Sequence, residues 1–311
     1  MLWFNKKNSV CPIGLDMGDD VLKLIQLEEK ENGLFIVGGG SGQRPEGVAA
    51  GSGIWQRWAI DVVREQTSNG RFKGRDIVAA IPAGDVFIDH MKMPKVKQGS
   101  VEESILSKIK QRLTFEPSSA LIKYIPTEND NIMVIATERG KIDRYLAIFE
   151  NANLRIKSIV VWPAAIANSY SRFFGRRRID AETVVMLIDM DTALTNVVVC
   201  RHRNLLFARS IVIGTKQLSN NEKMAQLVLE LNSCRRQVVS MYEKSRIERL
   251  IFLSGSVVEK EICVKIAKQL EMPAQIGDCM AAVDSENGNL LNINRRECQF
   301  SWATAFGLSL S

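Results

Sequence analysis

The same order of predicted elements occurs twice along this chain, at about residues 11–81 and 184–253. Each copy begins with three apolar runs separated by turn residues, which predicts an antiparallel meander, and continues with an amphipathic helix and a short buried strand. In the first copy, a glycine-rich stretch at 38–53 predicts a loop between the meander and the helix. A mixed sheet flanked by helices and built twice is an α/β architecture of two lobes, which enclose a cleft.

The chain between the two copies has a different pattern. Its predicted order is β-α-β-β-α-β, which is a split βαβ unit and a small domain in itself. A helix and a charged linker follow it, and the last apolar run of the chain predicts a short closing helix. We therefore assign three domains: a first lobe at 1–82 that is completed by 162–180 and 302–311, an inserted subdomain at 83–161, and a second lobe at 183–301.

Cysteine, histidine and apolar content argue against several classes of protein. The six cysteines are scattered without a Cys-x-x-Cys pair, which predicts free thiols in a reducing compartment. His90 has no histidine or cysteine at ligand spacing and His202 has only Cys200, so neither a zinc enzyme nor a histidine-dependent triad is predicted. No apolar run approaches the ~20 residues of a membrane span, and the chain does not begin like a secretory signal. We predict a cytoplasmic protein.

The chain is basic, with a net charge of +6 and arginine clusters at 176–178, 235–236 and 295–296. Acidic residues are interspersed with these clusters, and no aromatic residues alternate with them as they do on a surface that stacks bases. We therefore predict no nucleic-acid binding. The clusters are typical of solvated faces, or of contact with a protein or an anionic membrane surface.

Both copies place an aspartate at the end of their first strand, Asp16 and Asp189. Hairpins that face each other across a cleft can grip a phosphate when glycine and small hydroxyl residues let the backbone approach it, and aspartates there can hold Mg²⁺ through water. Aspartates in such turns also serve only to accept turn N–H bonds, and the residues leave both interpretations open. The chain offers four further residues at these hairpins: Gly18, Lys23, Thr192 and Thr195.

An ordered set of short segments resembles one family over nearly the whole chain. The segments are 13–24, 44–48, 78–82, 91–94, 143–146, 187–189, 209–214, 253–255 and 303–308. In this order they resemble PilM, the cytoplasmic actin-like protein of type IV pilus assembly, which is related to the cell-division protein FtsA. The resemblance implies an actin-like two-lobe fold of duplicated RNase H-like domains, with the split βαβ subdomain inserted after Pro82.

The resemblance also implies ligands and partners. PilM proteins bind ATP and Mg²⁺ between the lobes, and they bind the N-terminal cytoplasmic peptide of the inner-membrane protein PilN in a groove beside the inserted subdomain. They link the membrane platform to the motor ATPases and can self-associate. We therefore expect a location at the inner face of the inner membrane, with membrane contact only through partners. The implied nucleotide-binding positions are Gly18, Asp19, Asp20, Lys23, Asp191, Thr192, Thr195, Gly255 and Ser256, with Asp16 and Asp189 at the metal.

All three nucleotide-binding elements depart from the family pattern. Asp19 and Asp20 stand where the family has serines, Asp191 where it has glycine, and 254–257 reads Ser-Gly-Ser-Val instead of Ser-Gly-Gly-Gly. Two like charges ~4 Å apart repel by about 1 kcal/mol in water and about 4 kcal/mol at an effective dielectric constant of roughly 20. Extra carboxylates beside a triphosphate therefore predict weak or absent ATP binding, and we assign no catalytic residue.

The expected function is a non-enzymatic scaffold of a type IV pilus or a type II secretion-like machine. One alternative is an enzyme on the same fold, either an active ATP-binding ATPase or a sugar kinase. A kinase needs a carboxylate base beside a sugar pocket, and no such pattern surrounds Asp189. The other alternative is an FtsA-like membrane tether, which would usually need a C-terminal amphipathic anchor after the closing helix.

Overall fold

The computed structural model describes residues 9–18, 20–31, 33–68, 70–96, 98–175, 178–243, 245–253, 260–280, 283 and 301–311. The first lobe begins with the predicted meander and helix, followed by a buried strand that pairs in parallel with the first strand. Its elements are β1 (Ser9–Met17), β2 (Val21–Lys30), β3 (Gly33–Gln43), α1 (Gly53–Ser68) and β4 (Asp76–Ala80). A 3₁₀ turn then leads into the inserted part of the chain.

The inserted part forms a three-stranded antiparallel sheet in the order β5-β7-β6, with one helix packed on it. Its elements are β5 (Phe87–Lys92), α2 (Val101–Ile109), β6 (Ala120–Pro126) and β7 (Asn131–Glu138). Helix α2 begins with a capping box, in which the Ser100 hydroxyl accepts from the Glu103 N–H and the Glu103 carboxylate accepts from the Ser100 N–H.

The second lobe repeats the first. The chain reaches it through α3 (Arg139–Asn151), β8 (Arg155–Ile159) and α4 (Trp162–Phe173). Its own elements are β9 (Val184–Met190), β10 (Thr195–Arg201), β11 (Asn204–Ile211), α5 (Asn221–Met241), β12 (Arg249–Phe252), α6 (Lys260–Leu270) and β13 (Ala274–Ile276). The last helix, α7 (Ala303–Ser309), returns to pack against β1 and β2 of the first sheet. The two five-stranded sheets have the same order, β3-β2-β1-β4-β8 and β11-β10-β9-β12-β13, which confirms the predicted duplication.

The last helix and strand of the predicted split βαβ unit belong to the first lobe, which corrects that prediction. Strand β8 pairs in parallel with β4, with Val78 opposite Ser158, and does not join the three-stranded sheet. Helix α3 buries Tyr145 and Phe149 in the same core as Trp55 of α1. Elements α3 and β8 therefore occupy the positions that α6 and β13 occupy in the second lobe. The chain pattern alone does not reveal which of two sheets a strand joins.

The glycine-rich stretch also differs from its prediction as a loop, because β3 continues through it to Gln43. Glycine is needed there because α1 packs directly against the strand. A Cβ on Gly40 would lie 2.1 Å from Gln66 Oε1, and a Cβ on Gly42 would lie 2.4 Å from Val62 Cγ1. The glycines therefore serve the close approach of a helix, and only the stretch after Gln43 connects the strand to α1.

Helices α4 and α7 lie between the two sheets and join them into one core. This core contains Ile25 of the first sheet, Leu187 of the second, Ile166 of α4 and Phe306 of α7. The two helices approach each other closely, since a Cβ on Gly307 would lie 1.8 Å from the carbonyl oxygen of Ala165. Within the described ranges, no helix is both long and apolar enough to cross a membrane.

The inserted subdomain docks on the second lobe through polar contacts. The Ala208 N–H donates to His90 Nε2 at 3.2 Å, and the His90 ring stacks on Phe207 with centroids 4.4 Å apart. Burial lowers the pKa of His90 to about 4, so this histidine stays neutral and accepts that hydrogen bond. The hydroxyls of Thr127 and Tyr242 lie 2.7 Å apart across the same contact. The insertion thus bridges the first lobe, from which it emerges, to the second.

Candidate functional site

The two predicted hairpins face each other across the cleft. The β1–β2 turn follows Asp16, and the β9–β10 turn follows Asp189 at the equivalent place in the second sheet. A Cβ on Gly18 would lie 2.6 Å from the carbonyl oxygen of Val21, so the tight first turn itself requires the glycine, and 3.8 Å from Asp191 Oδ2, which is contact distance to the second hairpin. The structure therefore brings together the two turns that the sequence analysis singled out.

Lys23 is bonded within the protein. It is the cross-strand partner of Asp16, is only 3% exposed, and its Nζ lies 3.0 Å from Asp16 Oδ2 and 3.8 Å from Asp191 Oδ2. The ammonium also donates to the Ser301 carbonyl oxygen at 2.9 Å. Burial alone would lower the pKa of Lys23, but the charges of Asp16, Asp191 and Asp189 outweigh it and raise the pKa above its usual range. Lys23 is therefore a charged, buried group that is already surrounded by carboxylates.

Asp20 connects the two lobes. Its Oδ2 accepts a hydrogen bond from the Thr192 hydroxyl of the second hairpin and lies 3.4 Å from Lys216 Nζ. Its Oδ1 accepts from Arg44 Nη2, at the end of the first meander. Burial alone would raise the pKa of Asp20, but the Thr192 and Arg44 hydrogen bonds, together with the charge of Lys216, lower the pKa below its usual range. Asp20 is thus a carboxylate that three donors hold in its ionised form.

The two predicted metal ligands, Asp16 and Asp189, both have raised pKa values. Burial raises the pKa of Asp16 above its usual range, although Lys23 opposes this effect. Burial likewise raises the pKa of Asp189 to about 6, and its Oδ1 is buried without a hydrogen-bond partner. The ammonium of Lys23 supplies the positive charge beside Asp16. In the part of the chain that the structure describes, no three acidic, cysteine or histidine side chains form a group that could hold a metal ion.

The remaining predicted positions fall into two groups. The Thr195 hydroxyl is fully buried and donates to the carbonyl oxygen of Ile213 at 2.7 Å, so it is engaged inside the second lobe. Asp19, Gly255 and Ser256 lie outside the described residues. The predicted positions that the structure brings together at the cleft are Asp16, Gly18, Asp20, Lys23, Asp189, Asp191 and Thr192.

Sequence reasoning assigned no role to Arg44 or Lys216, although both contact Asp20. Arg44 lies in segment 44–48, which indicated the family resemblance but did not indicate what the arginine contacts. Lys216 follows Gly214, and a Cβ on Gly214 would lie 2.4 Å from the carbonyl oxygen of Thr192. That glycine lets the turn after β11 pack against the second hairpin, and the Lys216 N–H donates to the same Thr192 oxygen at 3.2 Å.

The cleft groups that could bind phosphate oxygens are already bonded within the protein. The groups that would bind phosphate oxygens, the Lys23 ammonium and the Thr192 hydroxyl, already contact the carboxylates of Asp16 and Asp20. Asp191 adds a further negative charge 3.8 Å from Lys23. An incoming phosphate would have to displace these carboxylates and would then lie beside them, at a repulsion of about 4 kcal/mol per close pair at an effective dielectric constant near 20.

A groove opens beside the inserted subdomain, with a cavity of about 480 Å³. The end of β6 forms one wall, α4 the second and the β10–β11 turn the third. Its apolar lining includes Ile125, Ala164 and Leu205, and its polar lining includes Thr127, Asn168 and Arg203. A second groove of about 810 Å³ lies between α6 and β13, far along the chain from the insertion, and is lined by Val264, Ala267 and Ile276 among others.

Residues 14–232 match the family model described as type IV pilus assembly protein PilM. The chain belongs to the PilM family. The match covers more than half of the chain and includes both hairpins and the inserted subdomain. It confirms the resemblance drawn from the ordered segments. Among curated proteins, no sequence match is found.

Solved structures similar to this PilM-family chain show its fold. The PilM-PilN type IV pilus biogenesis complex matches with a TM-score of 0.76 and 18% identity, over 96% of this chain and 97% of that one. The ethanolamine utilization protein EutJ from Carboxydothermus hydrogenoformans matches with a TM-score of 0.52 and 12% identity, over 97% and 89% of the two chains. A Bacteroides thetaiotaomicron protein of unknown function with an actin-like ATPase fold matches at 0.53 and 11%, over 91% and 96%. The predicted α/β actin-like two-lobe fold is confirmed.

Proposed function

We propose that this PilM-family chain is a scaffold that binds the N-terminal cytoplasmic peptide of a PilN-like inner-membrane protein. Its machine is a type IV pilus or a related type II secretion-like assembly. The match to a PilM in complex with PilN supports this partner. The proposal places the chain in the cytoplasm at the inner face of the inner membrane, where it reaches the membrane through that partner. Contact with motor ATPases and self-association are part of the same proposal.

The observation that carries the proposal is the groove between the insertion and the two lobes. Its lining combines apolar side chains with hydrogen-bonding ones, which is the pattern of a site that takes a short peptide. Strand β6 forms one wall and is an edge strand in the order β5-β7-β6. Because α4 also belongs to the core between the two sheets, the groove lies on a rigid support.

We further propose that the scaffold works without ATP. The cleft donors that would bind phosphate are engaged by Asp16, Asp20 and Asp191, and the insertion bridges the lobes at a second place through His90. A nucleotide would therefore have to break existing contacts between the lobes before it could form its own. This supports a degenerate ATPase site and a binding function rather than an enzymatic one.

Titration with a synthetic peptide tests the peptide site. We expect the N-terminal cytoplasmic peptide of a PilN-like protein from the same genome to bind the wild type without nucleotide. The variant Ala164→Arg places bulk and charge in the groove, and we expect it to lose at least about tenfold in affinity, or ~1.4 kcal/mol. The matched control Ala267→Arg makes the same change on α6, in the groove of about 810 Å³, and should bind like the wild type.

Two results would contradict the peptide site. One is the absence of binding to every PilN-like peptide from that genome. The other is an equal affinity for the two arginine variants, because the peptide would then not distinguish the groove at α4 from the groove at α6. Circular dichroism of both variants checks that each is folded before its affinity is compared.

A further inference from the structure

The carboxylate of Asp20 is held as an anionic ligand is held. Its two oxygens contact a hydroxyl, a guanidinium and an ammonium, from Thr192, Arg44 and Lys216 respectively. The Asp20 side chain is 14% exposed, so its contacts with Thr192 and Arg44 are partly buried, whereas Lys216 reaches it from the surface with a side chain that is 69% exposed. Charged and hydroxyl donors that converge on one anionic group are the arrangement that proteins use to bind phosphate.

The donors come from both lobes. Arg44 lies in the first lobe, just after β3, and its N–H also donates to the Asp20 carbonyl oxygen at 2.8 Å. Thr192 and Lys216 lie in the second lobe, and the Lys216 N–H donates to the Thr192 carbonyl oxygen, which fixes their relative position. One carboxylate of the first hairpin therefore ties the first lobe to two groups of the second.

The Asp191 carboxylate of the second hairpin also contacts a cation of the opposite lobe. Asp191 Oδ2 lies 3.8 Å from the Lys23 ammonium of the first lobe, and Asp191 Oδ1 accepts the Thr192 N–H at 2.8 Å. A lysine ammonium and a backbone N–H are again donors typical of a phosphate site. Each hairpin thus contributes a carboxylate that is bonded to a cation or a hydroxyl of the other lobe.

We infer that Asp20 is an internal substitute for a phosphate-class anion, which closes the cleft by binding the donors of both lobes at once. The closed arrangement of the lobes is then built into the chain and needs no external ligand. This inference rests on the part of the proposed function that assigns no nucleotide to the cleft. It is independent of the peptide groove, since the carboxylate would join the lobes whether or not a peptide is bound.

Removal of the Asp20 carboxylate should convert its site into one that binds a free anion. In the variant Asp20→Ser, the carboxylate is gone while Thr192, Arg44 and Lys216 remain, so that two hydroxyls and two cations are left to receive a free anion. Inorganic phosphate has the size and charge for such a site. In the wild type, the Asp20 carboxylate would compete with it.

Thermal unfolding with inorganic phosphate, against sodium chloride at the same ionic strength, tests the substitution. We expect Asp20→Ser to melt several degrees below the wild type in chloride, and phosphate to raise its Tm by more than it raises that of the wild type. The wild type provides the control for the general stabilising effect of phosphate on folded proteins. The double variant Asp20→Ser with Thr192→Val, which lacks one donor, should gain less from phosphate than Asp20→Ser.

Equal phosphate shifts in the wild type and in Asp20→Ser would overturn the inference. If Asp20→Ser does not fold, the conservative variants Asp20→Asn and Thr192→Val decide it, because each removes part of the same contact. The double variant should lose less Tm than the sum of the losses in the two single variants, because both changes break the same hydrogen bond. A loss equal to that sum would overturn the inference. Peptide titration of these variants keeps the two proposals apart, since retained peptide binding with equal phosphate shifts contradicts only the role of Asp20.

Discussion

Replacing Lys23 by methionine should lower the free energy of unfolding by about 3–5 kcal/mol. The change keeps the aliphatic stem but removes the ammonium that lies 3.0 Å from Asp16 and 3.8 Å from Asp191, so it leaves the buried Asp16 and the partly buried Asp191 without their counter-ion. Denaturant unfolding at about pH 8 measures the effect. We expect the loss to be smaller at about pH 5, because burial raises the pKa values of Asp16 and Asp189, and protonation of these two carboxylates relieves their repulsion.

The sign of this pH dependence follows from Asp189. Burial already raises its pKa to about 6 in the presence of Lys23. An acid whose pKa is raised on folding favours the folded state while it is protonated, and that contribution is lost as the pH rises through the folded pKa. Without the Lys23 ammonium the pKa should rise further, so the variant should lose stability over a wider range of pH than the wild type.

Lys73 provides the matched control. Its Nζ lies 3.1 Å from Glu28 Oε2, but its side chain is 56% exposed. Exposed ion pairs of this kind contribute about 0–1 kcal/mol, so Lys73→Met should change the unfolding free energy by no more than that. If both lysine variants lost the same stability, Lys23 would not be the buried counter-ion of the cleft.

Replacing Gly307 by alanine should destabilise the protein by about 3 kcal/mol or more, or prevent folding. Gly307 lies in α7, and its added methyl group would lie 1.8 Å from the carbonyl oxygen of Ala165 in α4. That oxygen belongs to the backbone of a helix packed between the two sheets, so α4 and α7 would have to separate. Thermal and denaturant unfolding of the purified variant measure the effect.

Gly140→Ala is the control for the glycine prediction. Gly140 also lies in a helix, α3, but a Cβ there would meet no atom within 4 Å. Alanine is the better helix former by up to about 1 kcal/mol, so this variant should be unchanged or slightly more stable. Equal losses in the two variants would show that glycine content, and not the close packing of α4 on α7, sets the stability.

The sequence predicted the parts of the fold that depend on local pattern. Apolar runs, turn residues and the repeated position of Asp16 and Asp189 indicated two lobes with facing hairpins, and both sheets have that order. The assignment of β8 to the inserted subdomain was wrong because β8 pairs in parallel with β4, a strand distant in sequence, and hydrophobic periodicity does not indicate which distant strand pairs with which. The glycines of β3 were misinterpreted because their cause is the approach of α1, which only tertiary packing shows.

For the candidate site, the sequence predicted which residues face the cleft better than what they do there. Asp20 and Asp191 were identified as charges that oppose a triphosphate, but their bonds to Thr192 and Lys23 were not foreseen. The reason is that the hydrogen bond and the ion pair across the cleft join residues about 170 positions apart, and no local spacing encodes them. Arg44 was missed for a different reason: it lies in the same lobe as Asp20 and meets it only through the pairing of β2 with β3.

We propose above all that the cleft of this PilM-family chain is closed by its own carboxylates and binds no nucleotide. Calorimetric titration of the wild type with ATP and Mg²⁺ tests it most directly. We expect no saturable heat at micromolar ATP, and the same affinity for the PilN-like peptide with and without nucleotide. A dissociation constant for ATP in the micromolar range, or peptide binding that requires ATP, would contradict the claim.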